Sequence, residues 1–465
     1  MRMRYLPLGN TREIGASCHY LLIDGVGVVL DSGVDPEQEG RASLPDFRLI
    51  RSRGERPVDH VIITHAHHDH MGSLPVLLAD HPRARVHLTP PTRLLAETLL
   101  PASARLQRRK LYEGSTTEQP IFDVETAEAL SYLYEERELG DTFKLPGTKG
   151  DTVVKARLYH AGHTLGSASV LLEADGRRLF YTSDIHLADQ TLIPGAELPD
   201  GPIHTLFLET TLGADPEAET FSRKAEERRL GEAIARVIGR GGSVLLPAFA
   251  LGRAQEMLAL IDHFKRRGLI PEETPVYTTG QMRAVAEIFD RTRTDSPRRN
   301  PEFEVFGVEQ SRTPRRDSAV AETLAEPCIH VASSGMMFER TLSNALARMM
   351  VEDERHGIFF VGFSKEGSPG ARLQEAAAAG DGAEIVLDAQ EHPEAQKVRA
   401  EVERFRFSGH AHRQELVDLA VRMDPEQIVL VHGETAAKEW MLAALAEALP
   451  ETRVLAPAHG EEVEL

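Results

Sequence analysis

VIITHAHHDHMG, residues Val61 to Gly72, is the stretch on which the reading of this chain turns. Its first four residues are apolar or β-branched and predict a short buried strand. The strand gives way to a loop carrying His65, His67, His68, Asp69 and His70 ahead of Gly72. Imidazole nitrogen and carboxylate oxygen are ligand types that zinc accepts, and so many of them on one loop held by a strand predict a metal site. His65 and His67, two apart, can turn to one ion, while Asp69 and His70, past the turn, can reach a second. A surface histidine cluster without metal is the plainer alternative. His68 is expected to point outward as a bystander.

Working outward, the same event recurs. Strands are predicted at Met3 to Leu8, Cys18 to Ile23 and Val26 to Leu30, and the third ends at Asp31, either a turn cap or an orienter of ligands. YHAGHTLGSA (Tyr159 to Ala168) holds His160 and His163 between two strands, and LFYTSDI (Leu179 to Ile185) ends near Asp184. TLFLETT (Thr205 to Thr211) delivers Glu209, VERFRFS (Val402 to Ser408) leads to His410, and IVLVHG (Ile428 to Gly433) delivers His432. Residues at strand ends on one edge of a sheet converge, so these side chains can build one site. His65, His67, Asp69, His70, His163, Asp184 and His432 exceed the needs of one tetrahedral zinc and suit two metals sharing a bridging carboxylate. Two metals about 3.5–4 Å apart can clamp an in-line displacement at phosphorus. Hydrolysis of a lactam or thioester is open to the same ligands. Glu209 and His410 are left over. A histidine beside a glutamate keeps its proton and can serve as general acid for a poor alkoxide leaving group, which favours a phosphodiester; a buried salt bridge is the structural alternative.

Length and texture divide the chain. At 465 residues, two or three units are expected. Residues 1–212 and 396–465 share the strand-then-histidine texture. Residues 213–395 alternate strands and helices, as a parallel-sheet α/β unit would. The second texture therefore reads as an insertion into a domain completed by the C-terminus. Residues 92–140 read as helical and charged. Two cysteines, Cys18 and Cys328, exclude a disulfide framework and cysteine-rich zinc sites. No apolar run approaches the roughly 18 residues of a membrane span, and the start lacks a signal-peptide stretch, so a soluble cytoplasmic protein is expected. The net charge of −19 argues against broad nonspecific nucleic-acid binding. Basic runs at Arg105 to Lys110, Lys265 to Arg267 and Arg291 to Arg316 read as solvated faces.

Taken together the residues resemble a known family. HAHHDH (His65 to His70), Gly162-His163, Ser183-Asp184 and His432 resemble the metallo-β-lactamase signature in order and spacing. LETT (Leu208 to Thr211), FSGH (Phe407 to His410) and Val431-His432 resemble further motifs of the β-CASP nuclease branch. PAFALGRAQE (Pro247 to Glu256) and ASSGMM (Ala332 to Met337) are similar to its inserted domain. SARLQ (Ser103 to Gln107) and AGHTLGSA (Ala161 to Ala168) resemble the group containing the nuclease subunit of the mRNA 3′-end cleavage factor and its prokaryotic relatives. The resemblance implies an αββα metallo-β-lactamase sandwich with an inserted α/β β-CASP domain closing over the metal cleft. It implies two Zn²⁺, with Mn²⁺ as the other working metal to consider. His65, His67 and His163 would hold the first, Asp69, His70 and His432 the second, and Asp184 would bridge. Asp31 would orient ligands, and Glu209 and His410 would form the acid–base pair. A histidine at His432 marks the RNA-cleaving members. Ser333, Ser334 and Arg253 would contact phosphate. Leu212 and His412 depart from the family's usual Tyr and Asp, and neither a KH-type extension nor the C-terminal domain of the bacterial ribonuclease J group is recognised. The function expected is a dizinc ribonuclease cutting single-stranded RNA in processing or decay, endonucleolytic and with 5′-exonuclease activity to be considered. A DNA nuclease of the same fold, a small-molecule hydrolase and a noncatalytic RNA-binding scaffold are the alternatives. The partners expected are single-stranded RNA and no membrane, with a homodimer open.

Overall fold

The computed structural model describes residues 3–52, 57–148, 152–314, 316–380 and 382–465. Arg315, inside the basic run from Arg291 to Arg316, lies outside them. The chain forms two compact units, Met1–Glu219 with Gly409–Leu465, and Thr220–Ser408.

The first unit contains two seven-stranded sheets. One runs in the order Val463–Glu464, Met3–Pro7, His19–Ile23, Val26–Leu30, His60–Ile62, Arg85–Leu88 and Tyr134–Glu136. The other runs Arg453–Leu455, Gln427–Val431, Thr205–Glu209, Arg177–Tyr181, Ala168–Ala174, Val153–His160 and Thr142–Pro146. Alternate side chains of a strand point to opposite faces. Leu21, Val28, Leu30 and Ile62 of one sheet therefore meet Leu158, Val170, Tyr181 and Phe207 of the other in a shared core. The outer face of the second sheet, with Phe180, Leu206, Leu208 and Ile428, is covered by helices Arg413–Met423 and Thr435–Ala448. Helices Leu74–Asp80 and Pro90–Tyr112 occupy the crossovers between successive parallel strands of the first sheet.

Strand direction does the positioning. Val26–Leu30 pairs parallel with His60–Ile62, so Asp31 and Thr64 emerge at one edge. In the second sheet Arg177–Tyr181, Thr205–Glu209 and Gln427–Val431 are mutually parallel, so Asp184, Glu209 and His432 emerge together. Val153–His160 runs the same way, being antiparallel to a strand that is itself antiparallel to Arg177–Tyr181.

The second unit holds six parallel strands in the order Ser311–Arg312, Val276–Thr278, Ile329–Ala332, Val244–Pro247, Gly357–Phe360 and Glu401–Arg404. Two expectations about elements change. The strand read at 402–408 is Glu401–Arg404, and it is an edge strand of this sheet, paired with Gly357–Phe360. Its alternating charged pattern suits an edge of either unit, and only pairing decides. Residues 92–140 are not one helical stretch: the helix ends at Tyr112, Gly114 turns the chain at φ +70°, and Tyr134–Glu136 is a strand. Three residues with two carboxylates carry no apolar signal for a strand. Among the described residues no helix is long and apolar enough to cross a membrane.

Segments 15–17 and 31–34 strap the backbone of the histidine-rich loop: Ser17 N–H donates to the Asp69 carbonyl at 2.8 Å, Ser32 N–H to that of His70 at 2.7 Å, and Val34 N–H to that of His68 at 3.0 Å. A Cβ on Gly33 would stand 1.7 Å from the Asp69 carbonyl oxygen. Gly33→Ala must push these backbones apart, and overpacking of this kind costs roughly 1–3 kcal/mol. The expected result is a lowered midpoint in denaturant melts at unchanged slope. A wild-type midpoint would contradict the close approach.

Candidate metal centre

The strand edge brings two ligand groups together. His65, His67, His163 and Asp184 each offer an atom within 4.8 Å of the others, and so do Asp69, His70 and His432. His67 Nδ1 lies 3.1 Å from His65 Nε2 and 3.0 Å from His163 Nε2. Asp184 Oδ2 is 3.6 Å from both His65 Nε2 and His163 Nε2, and 3.3 Å from His70 Nε2 of the other group. His432 Nε2 is 3.3 Å from Asp69 Oδ2, while its Nδ1 is 3.3 Å from Asp184 Oδ1. Asp184 therefore touches both groups.

Four of the five histidines are aimed by what their other nitrogen touches. His70 Nδ1 lies 2.9 Å from Asp31 Oδ2, and His163 Nδ1 lies 2.7 Å from the Gly409 carbonyl. His65 Nδ1 is 3.1 Å from Thr64 Oγ1, and His432 Nδ1 is 2.9 Å from Thr211 Oγ1. Such contacts fix the tautomer and leave the second nitrogen for a ligand. Asp31 is fully buried and saturated: Thr64 donates its N–H and hydroxyl, and Tyr181 donates its hydroxyl at 2.8 Å. Ser183 Oγ donates to Thr64 Oγ1 at 2.7 Å, tying the Asp184 turn to the histidine loop. Asp31, Ser183 and His432 adopt φ of +60°, +51° and +43°. Left-handed non-glycine residues carry strain on the order of 1–3 kcal/mol each, and their gathering at three strand ends fits a functional edge.

The donor set fits a cation. His70 Nε2 and Asp184 Oδ1 are buried without a hydrogen-bond partner, an arrangement that usually costs stability. Burial and the neighbouring His70 hold His65 well below the usual imidazole range, and burial with His410 does the same to His163, so both stay neutral and available as ligands. Burial alone would lower His70 too, but Asp184, Asp31 and Asp69 around it raise it well above that range. Three carboxylates thus converge where a positive charge is needed, and a bound metal would supply it in place of a proton.

Beside these groups stands a third pair. His410 Nδ1 lies 3.0 Å from Glu209 Oε2 and 3.2 Å from Oε1. Glu209 is fully buried; its Oε1 accepts the Ile185 N–H at 2.6 Å and its Oε2 accepts the Thr211 hydroxyl. Burial alone would lower His410, but the Glu209 carboxylate reverses this and carries it up to about 9.

The other sequence candidates have contacts of their own. His68 is exposed and 2.7 Å from Ser103 Oγ, and His160 faces the Pro194 carbonyl. His412 caps helix Arg413–Met423, accepting the Glu415 N–H. Ser333, Ser334 and Arg253 belong to the second unit. There the Ser334 hydroxyl accepts the Phe338 N–H at 3.2 Å, the Ser333 carbonyl accepts the Ser343 N–H, and Arg253 is paired with Glu256. Sequence reasoning missed Thr64, Tyr181, Thr211 and Gln190, whose amide holds the Gly162 and His163 carbonyls at 2.6 and 2.8 Å. Thr64, Tyr181 and Thr211 sit inside quoted motifs, but a hydroxyl in an apolar strand reads as core.

Comparison with known proteins agrees along the chain. Residues 12–221 match the metallo-beta-lactamase superfamily, residues 254–373 the Beta-Casp domain, and residues 395–457 the Zn-dependent metallo-hydrolase RNA specificity domain. The chain is 30% identical to an RNase J-like protein of Methanocaldococcus jannaschii, covering 92% of this chain and 91% of that protein. It is 29% identical to the endoribonuclease YSH1 of Yarrowia lipolytica, over 99% of this chain but 54% of the relative. A 26% match to cleavage and polyadenylation specificity factor subunit 3 of Dictyostelium discoideum covers 99% of this chain and 57% of the relative. The chain thus spans nearly all of the archaeal relative and about half of the other two. A crystal structure of a protein of unknown function from Enterococcus faecalis superposes with a TM-score of 0.55 at 13% identity over all of both chains, which shows a shared fold.

Tyr181→Phe removes one donor from the buried Asp31 carboxylate. The expected cost is about 1–3 kcal/mol, read in melts of metal-free protein. An unchanged melt would show that Tyr181 does not hold Asp31.

Proposed function

We propose that this chain, which belongs to the Beta-Casp branch of the metallo-β-lactamase superfamily, is a two-metal ribonuclease that hydrolyses phosphodiester bonds of single-stranded RNA. The observation that carries the reading is Asp184 lying between two ligand groups with the Glu209–His410 pair beside it. His65, His67, His163 and Asp184 would hold one metal, and Asp69, His70, His432 and Asp184 the other. Bound there, the two cations supply Lewis acidity for an in-line displacement at phosphorus. Histidine nitrogen and carboxylate oxygen suit zinc, and manganese is compatible with the same donors. RNA as the substrate class is supported by the RNA specificity match and the names of the archaeal and fungal relatives. The histidine at His432, shared with the RNA-cleaving members it resembles, points the same way.

The chain's own residues supply the proton chemistry. His410, held protonated by Glu209, donates to the departing oxygen of the sugar. Glu209 keeps the imidazole oriented through Nδ1, and its oxygens also accept the Ile185 N–H and the Thr211 hydroxyl. Asp31 holds His70 in the tautomer that turns Nε2 to the metal groups. Cleavage at internal bonds is the mode proposed, with trimming from a 5′ end as a second mode of the same site.

A general acid works only while protonated, so the rate on RNA is expected to fall as pH rises through the His410 pKa. That value is about 9 without metal, and bound cations would draw it lower. Glu209→Gln removes the chief raising influence and should move the alkaline limb to lower pH. His410→Ala should cost roughly 10²–10⁴ in rate on RNA and much less on a diester with a nitrophenolate leaving group, which needs no acid. The measurement is cleavage of a labelled single-stranded RNA and its DNA counterpart by zinc-loaded protein. DNA cut at the RNA rate would contradict the substrate assignment. Absence of cutting by metal-bound protein would favour a scaffold or a small-molecule hydrolase.

A further inference from the structure

We propose that the Thr211 hydroxyl is a positioning link that ties the Glu209 carboxylate to His432, so that the residue holding the general acid also sets how firmly a metal ligand is held. The inference rests on the two-metal ribonuclease reading and adds a coupling between its two halves.

Strand pairing puts the three side chains together. Thr205–Glu209 runs parallel to Gln427–Val431 with Glu209 opposite Val431, so Thr211 and His432 both lie just past a strand end. The two turns are stitched to each other. Thr210 N–H donates to the His432 carbonyl at 2.9 Å, and the Thr210 hydroxyl lies 3.2 Å from the carbonyls of both Val431 and His432. Beside them the Thr211 hydroxyl donates to Glu209 Oε2 and lies 2.9 Å from His432 Nδ1. Glu209 Oε2 is also the oxygen 3.0 Å from His410 Nδ1. A bond from Thr211 to a residue two positions back is ordinary turn chemistry. The contact with His432, 221 positions along the chain, is not.

Hydrogen count fixes the direction of this chain of contacts. A hydroxyl has one hydrogen to give. Thr211 gives it to Glu209, so towards His432 its oxygen can only accept, and His432 must carry its proton on Nδ1. That leaves Nε2, 3.3 Å from Asp69 Oδ2, with the lone pair a metal needs. Thr64 repeats the arrangement in the other ligand group: its hydroxyl donates to Asp31 at 2.9 Å and lies 3.1 Å from His65 Nδ1. Asp31 holds ligands on both its contacts, His70 directly and His65 through Thr64. Glu209 differs because its other histidine is His410. An amide at position 209 can present N–H to Thr211, turn the hydroxyl round and leave His432 Nδ1 without an acceptor.

The test is zinc affinity, measured on metal-free full-length chain by competition with a chromogenic chelator that resolves the two ions. Loss of a hydrogen-bond partner behind a ligand costs about 10–100-fold in metal affinity. Thr211→Val is expected to weaken one ion by that factor and leave the other, and Thr211→Ser, which keeps the hydroxyl, to bind as the native chain does. Glu209→Gln should weaken the same ion, and by a smaller factor once Thr211 is already Val, because the two substitutions break one link. Factors that simply multiply would overturn the link, as would both ions weakened alike by Thr211→Val or a Thr211→Ser chain that is no tighter than it. Cleavage of single-stranded RNA by the native chain is measured in parallel. The expected zinc pattern without cleavage keeps the link and removes the ribonuclease reading. A native chain that takes up no zinc overturns both.

Discussion

A carboxylate buried among imidazoles is the interaction on which the rest of the structure depends. Asp184 is nearly inaccessible, yet burial does not neutralise it. Burial alone would raise its pKa, but His432 and His70 hold it well below the usual carboxylate range. An unpaired charge at such a site would cost several kcal/mol, so the fold must bring positive charge to it. The strand ends of both sheets do this, because parallel pairing fixes Asp31 beside Thr64 and Glu209 beside His432. The ligands thus lie on turns whose position is set by the sheets, which is the rigid support that a metal centre requires. Asp31, Thr64, Ser183 and Tyr181 join the two sheets behind the ligands, so packing of the core and aiming of the histidines are one problem.

Much of this is legible in the sequence, for a physical reason. A strand that stops at a histidine or carboxylate declares both a buried element and a polar residue at its edge, and the chain repeats this at Asp31, His65, His163, Asp184, Glu209 and His432. The metallo-β-lactamase and Beta-Casp signatures are dense enough that the resemblance and the later comparison agree. Partner choice is what stays hidden. The strand Glu401–Arg404 has the same local pattern whichever sheet it joins, and Tyr134–Glu136 has almost no pattern at all. The hydroxyls of Tyr181 and Thr64 look like strand core because their acceptor, Asp31, is far away in the chain. His412 reads as a departure from a motif, yet it serves as a helix cap.

Electrostatics sets a tension that the surface resolves locally. An enzyme for a polyanion with 72 acidic and 53 basic side chains would repel its substrate if those charges were evenly spread. Many of the arginines are instead consumed in ion pairs, including Arg223 and Arg253, which share the Glu256 carboxylate. Attraction is then left to the candidate metal centre and to the cations without a carboxylate partner. That arrangement favours strands that reach the site over nonspecific binding along the whole surface.

The most direct test of the account is the number of metals held. Metal-free chain is loaded with zinc, dialysed, and its metal content measured by elemental analysis, for the native sequence and for Asp184→Ala. Asp184 shared between two ligand groups predicts two ions per chain in the first and no more than one in the second. One ion in the native chain, or two retained without Asp184, would contradict a centre built around that carboxylate.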